Sequence, residues 1–198
     1  MSTNGGLALP NWEKTFTATT AEQTHALAVR LAAVLEAGDL LVLSGELGAG
    51  KTTFTQGLGE GLGVREGIIS PTFVLVRIHP NLPGGPRPGG PDLVHVDAYR
   101  LESAAEIDDI DLENTMDSSV TVVEWGQDRV EHLSESRLEI DLHRALGLGA
   151  FGPGGHKPSA ELDFDTEDAD EPRTIVMRGY GPRWPEAPEL GAAVEGVR

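Results

Sequence analysis

The chain contains no cysteine. That excludes disulfides, a thiolate zinc site and a thiol nucleophile. Lysine is scarce as well: Lys14, Lys51 and Lys157 are the three in 198 residues. Basic residues number 15 against 32 acidic ones, a formal net charge of −17. A chain this acidic is a poor candidate for holding nucleic acid by itself, because neutralising phosphates takes a basic surface. A nucleic-acid pathway entered through a protein partner stays open. No apolar run approaches the ~20 residues of a membrane span. Met1 to Phe16 lacks a charged start followed by an apolar stretch, so no signal peptide is expected. The six histidines are scattered, and no zinc site is expected. No internal repeat occurs. The composition predicts a soluble, cytoplasmic chain, and the length suits one domain with a sizeable core, or one domain plus extensions.

What the chain does have is Gly45-Glu46-Leu47-Gly48-Ala49-Gly50-Lys51-Thr52. It fits G-x-x-x-x-G-K-[ST], the P-loop that wraps nucleotide phosphates. Asp39 to Ser44 ahead of it reads as a short buried strand, and Thr53 to Leu58 behind it can open a helix. Strand, Gly-rich loop and helix is the context this chemistry needs. Glycines let successive N–H groups converge on one concavity, and the helix N-terminus adds partial positive charge. Lys51 can reach the β- and γ-phosphates, and the Thr52 hydroxyl can ligate Mg²⁺. A plain Gly-rich turn is the alternative, and the agreement of motif and flanks argues against it.

Thr15 to Ala18 is predicted as a first strand. Thr20 and Gln23 have the spacing of a capping box, opening a helix with Leu27, Leu31, Val34 and Leu35 on one face and Gly38 at its end. Gly57, Gly59, Gly61 and Gly63 suggest that the P-loop helix is short or frayed. His79 to Pro91 holds five prolines and four glycines and is expected to be a flexible loop. Asp92 to Asp97 and Val120 to Glu124 read as strands ending on carboxylates. Between them, residues 102–117 carry seven acids and no base, with Ile107, Ile110, Leu112 and Met116 inward. A solvated face explains such a run, and a partner-docking face is the other reading. Arg137 to Leu142 alternates as a half-buried strand. Residues 146–172 are Gly-, Pro- and acid-rich, the composition of a disordered insertion. Residues 173–183 return as a C-terminal strand, and 184–198 read as a tail.

In α/β sheets ligands bind at the C-terminal ends of strands. Asp97 and Glu124 satisfy that position, and either could hold Mg²⁺ or orient the attacking water. Thr72, after Ser70-Pro71, offers a hydroxyl on the loop beyond the P-loop helix, where switch-bearing NTPases sense the γ-phosphate. Trp125 reads as core, and His95 as a satisfied structural histidine. Asp97-Ala98-Tyr99-Arg100 lacks the glycine of a D-x-x-G switch, and Asn114-Thr115-Met116-Asp117 lacks the lysine of N-K-x-D, so the base read is adenine. An Arg-rich kinase lid is not evident either, since the 79–91 loop has only Arg87.

Together these motifs resemble the TsaE (YjeE) family, the ATPase component of bacterial tRNA threonylcarbamoyladenosine synthesis. The resemblance covers residues 15–145. It rests on Gly45 to Phe54, Ser70-Pro71-Thr72-Phe73, His95-Val96-Asp97-Ala98-Tyr99-Arg100-Leu101 and Val122-Val123-Glu124-Trp125. It implies a P-loop NTPase-like three-layer α/β fold with a mixed, partly antiparallel sheet. It implies ATP hydrolysis, weak alone and activated by the TsaB–TsaD complex, which modifies the adenosine next to the anticodon; tRNA would be met only through that complex. By position, Gly45, Glu46, Leu47, Gly48, Ala49, Gly50, Lys51, Thr52 and Thr53 would cradle ATP. Thr52 and Glu124 would bind Mg²⁺, and Lys51, Asp97 and Glu124 would serve hydrolysis. Thr72 would belong to the switch-like loop, and Thr20, Gln23 and Thr24 would lie near the adenine. A P-loop kinase for a small metabolite and a non-catalytic nucleotide-binding adaptor are the competing functions.

Overall fold

Leu40-Leu41-Val42-Leu43 is an unbroken apolar run, and such a strand must be buried on both faces. In the computed structural model it is strand β2 (Leu40–Ser44), central in a seven-stranded sheet. The structure describes residues 9–71, 74–101, 106–107, 112–144 and 172–191. Thr72, Ile110 and residues 146–171 of the expected insertion lie outside them.

The other strands are β1 (Trp12–Ala18), β3 (Val76–His79), β4 (Asp92–Asp97), β5 (Ser119–Glu124), β6 (Arg137–Arg144) and β7 (Arg173–Tyr180). Their order is β1-β7-β6-β2-β5-β4-β3. The four central strands are parallel, β2 pairing with β5 and β6, and β4 with β5. The edges are antiparallel, β3 on β4 at one side and β7 and β1 at the other. The chain is thus an α/β protein with a mixed sheet.

The two faces of β2 sort the core. Leu41 and Leu43 join Leu27, Leu31, Phe54, Leu58 and Ile175 on the face covered by helices α1 (Ala21–Ala32) and α2 (Lys51–Leu62). Leu40 and Val42 join Val94, Val96, Val123, Ile107, Leu112 and Met116 on the other. That second face is closed by short pieces, among them helix α3 (Glu113–Met116) and the turns around Val130.

Thr20 is the N-cap of α1, its Oγ1 accepting from the Gln23 N–H at 3.2 Å. The return bond differs from a capping box: Gln23 Oε1 accepts from the Thr19 N–H at 2.7 Å. The helix stops at Ala32, short of Gly38, whose φ of 96° instead turns the chain into β2. Val34 therefore lies past the helix and is 38% exposed, whereas Leu35 is buried.

Helix α2 corrects the expectation of a short or frayed segment, since it runs twelve residues through Gly57, Gly59 and Gly61. The reason is close packing. A Cβ on Gly57 would fall on the His25 carbonyl, and one on Gly61 would lie 2.7 Å from the Val29 carbonyl oxygen. The glycines let α2 press against the backbone of α1, and the packing outweighs their poor helix propensity.

The His79–Pro91 segment is irregular, as its composition dictates, but Asn81 and Arg87 tie it to the helices. Asn81 Nδ2 donates to the Leu62 and Arg87 carbonyls at 2.8 and 3.0 Å. Arg87 Nη1 donates to the Ala32 and Leu35 carbonyls at 3.1 and 2.7 Å, satisfying carbonyls at and just past the end of α1. Residues 184–191, grouped with the tail by sequence, pack inward instead: Trp184 and Leu190 are buried in the core beside α1 and the sheet. Arg183 fixes this return by donating from Nε to Asp39 at 3.1 Å and from Nη2 to the Val34 carbonyl at 2.8 Å.

Candidate active site

The loop Gly45–Gly50 leaves the end of β2 and enters α2 at Lys51. Gly45 has a φ of 145°, and a Cβ there would strike the Leu142 carbonyl of β6. No other residue fits that approach. Glu46 clamps the same side, its Oε1 accepting from the Arg144 N–H at 2.6 Å. Burial works to raise the Glu46 pKa, but this bond and the neighbouring positive charges outweigh it, and the net shift is down. Leu47 stands 84% exposed at the loop tip. Gly50, with a φ of 100°, is the N-cap of α2, and no side chain caps the helix there. A loop of bare backbone running into an uncapped helix N-terminus fits a polyphosphate.

Lys51 is nearly buried, at 6% exposure. Its Nζ donates to the carbonyls of Gly45 and Glu46 at 2.8 and 3.0 Å, folding back over its own loop. Burial lowers its pKa, opposed by the charges of Glu124, Asp97 and Glu46. The Trp125 ring lies 4.1 Å from Nζ, a cation–π contact. Trp125 is therefore a lid on the lysine and only half-buried, not the core residue expected. Its φ of 61° is unusual for a bulky residue; its N–H is held by the Leu43 carbonyl at 3.0 Å, and Tyr99 packs on it edge-to-face. Sequence reasoning missed this because a left-handed tryptophan has no signature in the chain.

Asp97 and Glu124 are Cα partners at the C-terminal ends of β4 and β5, and Leu43 of β2 pairs with Glu124 on its other side. The two acids and the P-loop thus leave one end of three adjacent strands. Both are buried, at 3% exposure each. Asp97 Oδ1 accepts from the Tyr99 N–H at 2.9 Å, and its Oδ2 from the Ser70 hydroxyl at 3.3 Å. Glu124 Oε1 lies 2.7 Å from His95 Nε2. His95, read as structural, is thus bonded to a candidate site acid.

The hydroxyl of Thr52 and the carboxylates of Glu124 and Asp97 are hard oxygen donors that fit Mg²⁺, which takes one or two carboxylates beside substrate phosphates. Among the described residues no three His, Asp or Glu side chains gather as a cage for a metal. Thr24 is buried beside the loop: a Cβ on Gly50 would meet its methyl group at 3.8 Å. The side chains of Thr20 and Gln23 are engaged in starting α1, one turn away.

Comparison with known proteins agrees with this architecture. Residues 18–147 match the family model described as threonylcarbamoyl adenosine biosynthesis protein TsaE. The tRNA threonylcarbamoyladenosine biosynthesis protein TsaE of Streptomyces coelicolor is 49% identical over 159 residues, covering 80% of this chain and 91% of the relative. The protein of the same name from Mycobacterium tuberculosis H37Rv is 43% identical, over 72% of this chain and 81% of its own. The crystal structure of Bacillus subtilis YdiB superposes with a TM-score of 0.59 at 28% identity, covering 87% of this chain and 89% of that one. Among the described residues no helix is long and apolar enough to cross a membrane. With the family model spanning more than half its length, the chain belongs to the TsaE family of tRNA threonylcarbamoyladenosine biosynthesis.

Proposed function

We propose that the chain is a cytoplasmic, partner-activated ATPase that supports threonylcarbamoyl modification of tRNA by acting on a TsaB–TsaD complex. One observation carries this reading. Lys51 heads the P-loop helix at the end of the sheet where two buried acids, Asp97 and Glu124, end the neighbouring strands. That is the set of groups phosphoryl transfer to water requires: a phosphate cradle, a cation and strand-end carboxylates.

In this reading the N–H groups of residues 45–53 hold the β- and γ-phosphates. Lys51 leaves the Gly45 and Glu46 carbonyls to meet the phosphate oxygens. Thr52 and Glu124 would hold Mg²⁺, which when bound offsets phosphate charge. Asp97 orients the attacking water. The region of Thr20, Gln23 and Thr24 borders the adenine, and Thr72 senses the γ-phosphate. The net charge of −17 suits a protein that meets tRNA only through its partners.

The test is hydrolysis of ATP and of GTP with and without purified TsaB–TsaD from the same source. The expected result is slow release of free phosphate from ATP alone, raised by the complex, with GTP the poorer ligand. Phosphate appearing on an added metabolite would favour a kinase. Binding without turnover in the presence of every partner would favour an adaptor.

A further inference from the structure

Two arginines approach the P-loop from strands that carry none of its motif. Arg144 ends β6 and Arg173 begins β7, and they are Cα partners on the last rung of that antiparallel ladder. Because β6 runs parallel beside β2, this rung lies at the end of the sheet from which the P-loop departs. A Cβ built on Gly48 would lie 3.4 Å from Arg144 Nη1. One built on Gly50 would lie 3.4 Å from Arg173 Nε. Both glycines have positive φ, 78° and 100°, and present bare backbone to these guanidinium groups. The Arg144 main chain is pinned by Glu46 Oε1 at 2.6 Å, so the root of the side chain is fixed while the side chain itself stays exposed. Arg173 is buried, at 8% exposure.

Cations and acids meet at this loop, with Glu46 within it and Asp97 and Glu124 at the neighbouring strand ends. The chain as a whole carries 15 basic residues against 32 acidic ones, yet Arg144, Arg173 and Lys51 surround one loop. Guanidinium groups offer a fork of N–H donors that matches phosphate oxygens, and they keep their charge when buried.

We propose that Arg144 and Arg173 form a two-point clamp on the polyphosphate of the nucleotide bound in the P-loop. The proposal rests on the nucleotide reading given above and adds two residues to it. Lys51 meets the phosphates from the helix side, and the arginines meet them from the β6–β7 side. Cations supplied by the same chain then offset charge that builds on the transferred phosphoryl group.

The test is calorimetric titration of the full chain with ATP and with inorganic tripolyphosphate. The variants are Arg144→Ala, Arg144→Lys, Arg173→Ala and, as a control for net charge, Arg65→Ala. Arg65 follows α2 at the end opposite the loop. Loss of either clamp arginine is expected to weaken both ligands roughly ten- to a hundredfold, the range of a charge-assisted contact. Arg144→Lys should recover part of the loss, and Arg65→Ala should bind as wild type does. Arg144→Ala changes an exposed side chain and decides the matter even where Arg173→Ala fails to fold. Wild-type affinity in Arg144→Ala, or an equal loss in Arg65→Ala, would overturn the clamp while leaving the P-loop reading intact. A wild-type chain that binds neither ligand would overturn that reading and the clamp with it.

Discussion

His95 Nε2 and Glu124 Oε1 are 2.7 Å apart, with side-chain exposures of 0% and 4%. An ionised carboxylate can only accept, so the imidazole proton of this bond belongs on Nε2. The bond ties one carboxylate oxygen of Glu124 to the neighbouring strand β4. Groups that orient a metal-binding side chain typically alter metal affinity or activity ten- to a hundredfold when removed. His95→Ala is therefore expected to raise the Mg²⁺ concentration needed for half-maximal hydrolysis by about that factor, with a smaller change in ATP affinity. His95→Gln, which keeps an N–H donor, should recover part of it. An unchanged Mg²⁺ requirement in His95→Ala would show that the pair only fills the core.

Asp97→Ala and Glu124→Ala should lower hydrolysis more than ATP binding, since the backbone cradle and Lys51 remain in both. Interactions that grow as charge moves in the transition state act on rate. Only Glu124→Ala should also blunt the Mg²⁺ dependence. Multi-turnover tRNA modification, measured beside nucleotide affinity, checks this. Normal modification by both variants would reduce Asp97 to the acceptor it already is for the Tyr99 N–H.

Lys51→Ala should weaken ATP binding or hydrolysis by roughly ten- to a hundredfold, as expected for loss of a charge-assisted contact of ~1.5–3 kcal/mol. The fold should persist, because among the described residues the lysine bonds to carbonyls of its own loop and lies under Trp125. Circular dichroism and calorimetry together are the check, and unchanged ATP binding would remove Lys51 from the site.

Gly57→Ala separates two opposed effects. Helix propensity alone favours alanine by ~1 kcal/mol. The new methyl would land on the His25 carbonyl, and forcing atoms into a packed interface costs about 1–3 kcal/mol. A lower melting temperature is expected, and a higher one would mean that α1 and α2 can separate at little cost.

Buried His79 has its pKa pushed down, first by burial and then by the positive charge available on His95 and Arg77. The unfolded chain takes up this proton near the ordinary histidine value, ~6.5, and the folded chain only at lower pH. Stability should be full above that value, fall as pH drops through it, and level off below the folded pKa. His79→Phe should flatten that part of the profile in denaturant titrations; an identical profile would assign the loss to other groups.

Much of this architecture was legible in the chain because local signals and tertiary structure agree. The β2 run, the Thr20 cap and the strand-end acids Asp97 and Glu124 each declare themselves through residue type and spacing. The misreadings share one physical cause. Gly57 and Gly61 look like helix breakers until a second helix presses on them. Trp125 looks like core until its backbone turns left-handed and lays the ring over Lys51. Arg144 and Arg173 are far apart in sequence and meet only as the last rung of a ladder. Properties that arise from one element touching another leave no periodicity to read.

The segment after β3 has a practical consequence. His79 pairs with Leu93 near the start of β4, while Asp97 ends that strand, so the loop from Pro80 to Pro91 hangs from the edge of the sheet opposite the P-loop. At Gly84 an added Cβ meets no atom within 4 Å. Since the chain has no cysteine, Gly84→Cys would give a single thiol for a dye or a surface linkage. A chain immobilised there would face solution with its P-loop end, so that binding of ATP or of a TsaB–TsaD complex could be assayed without the tether in the way.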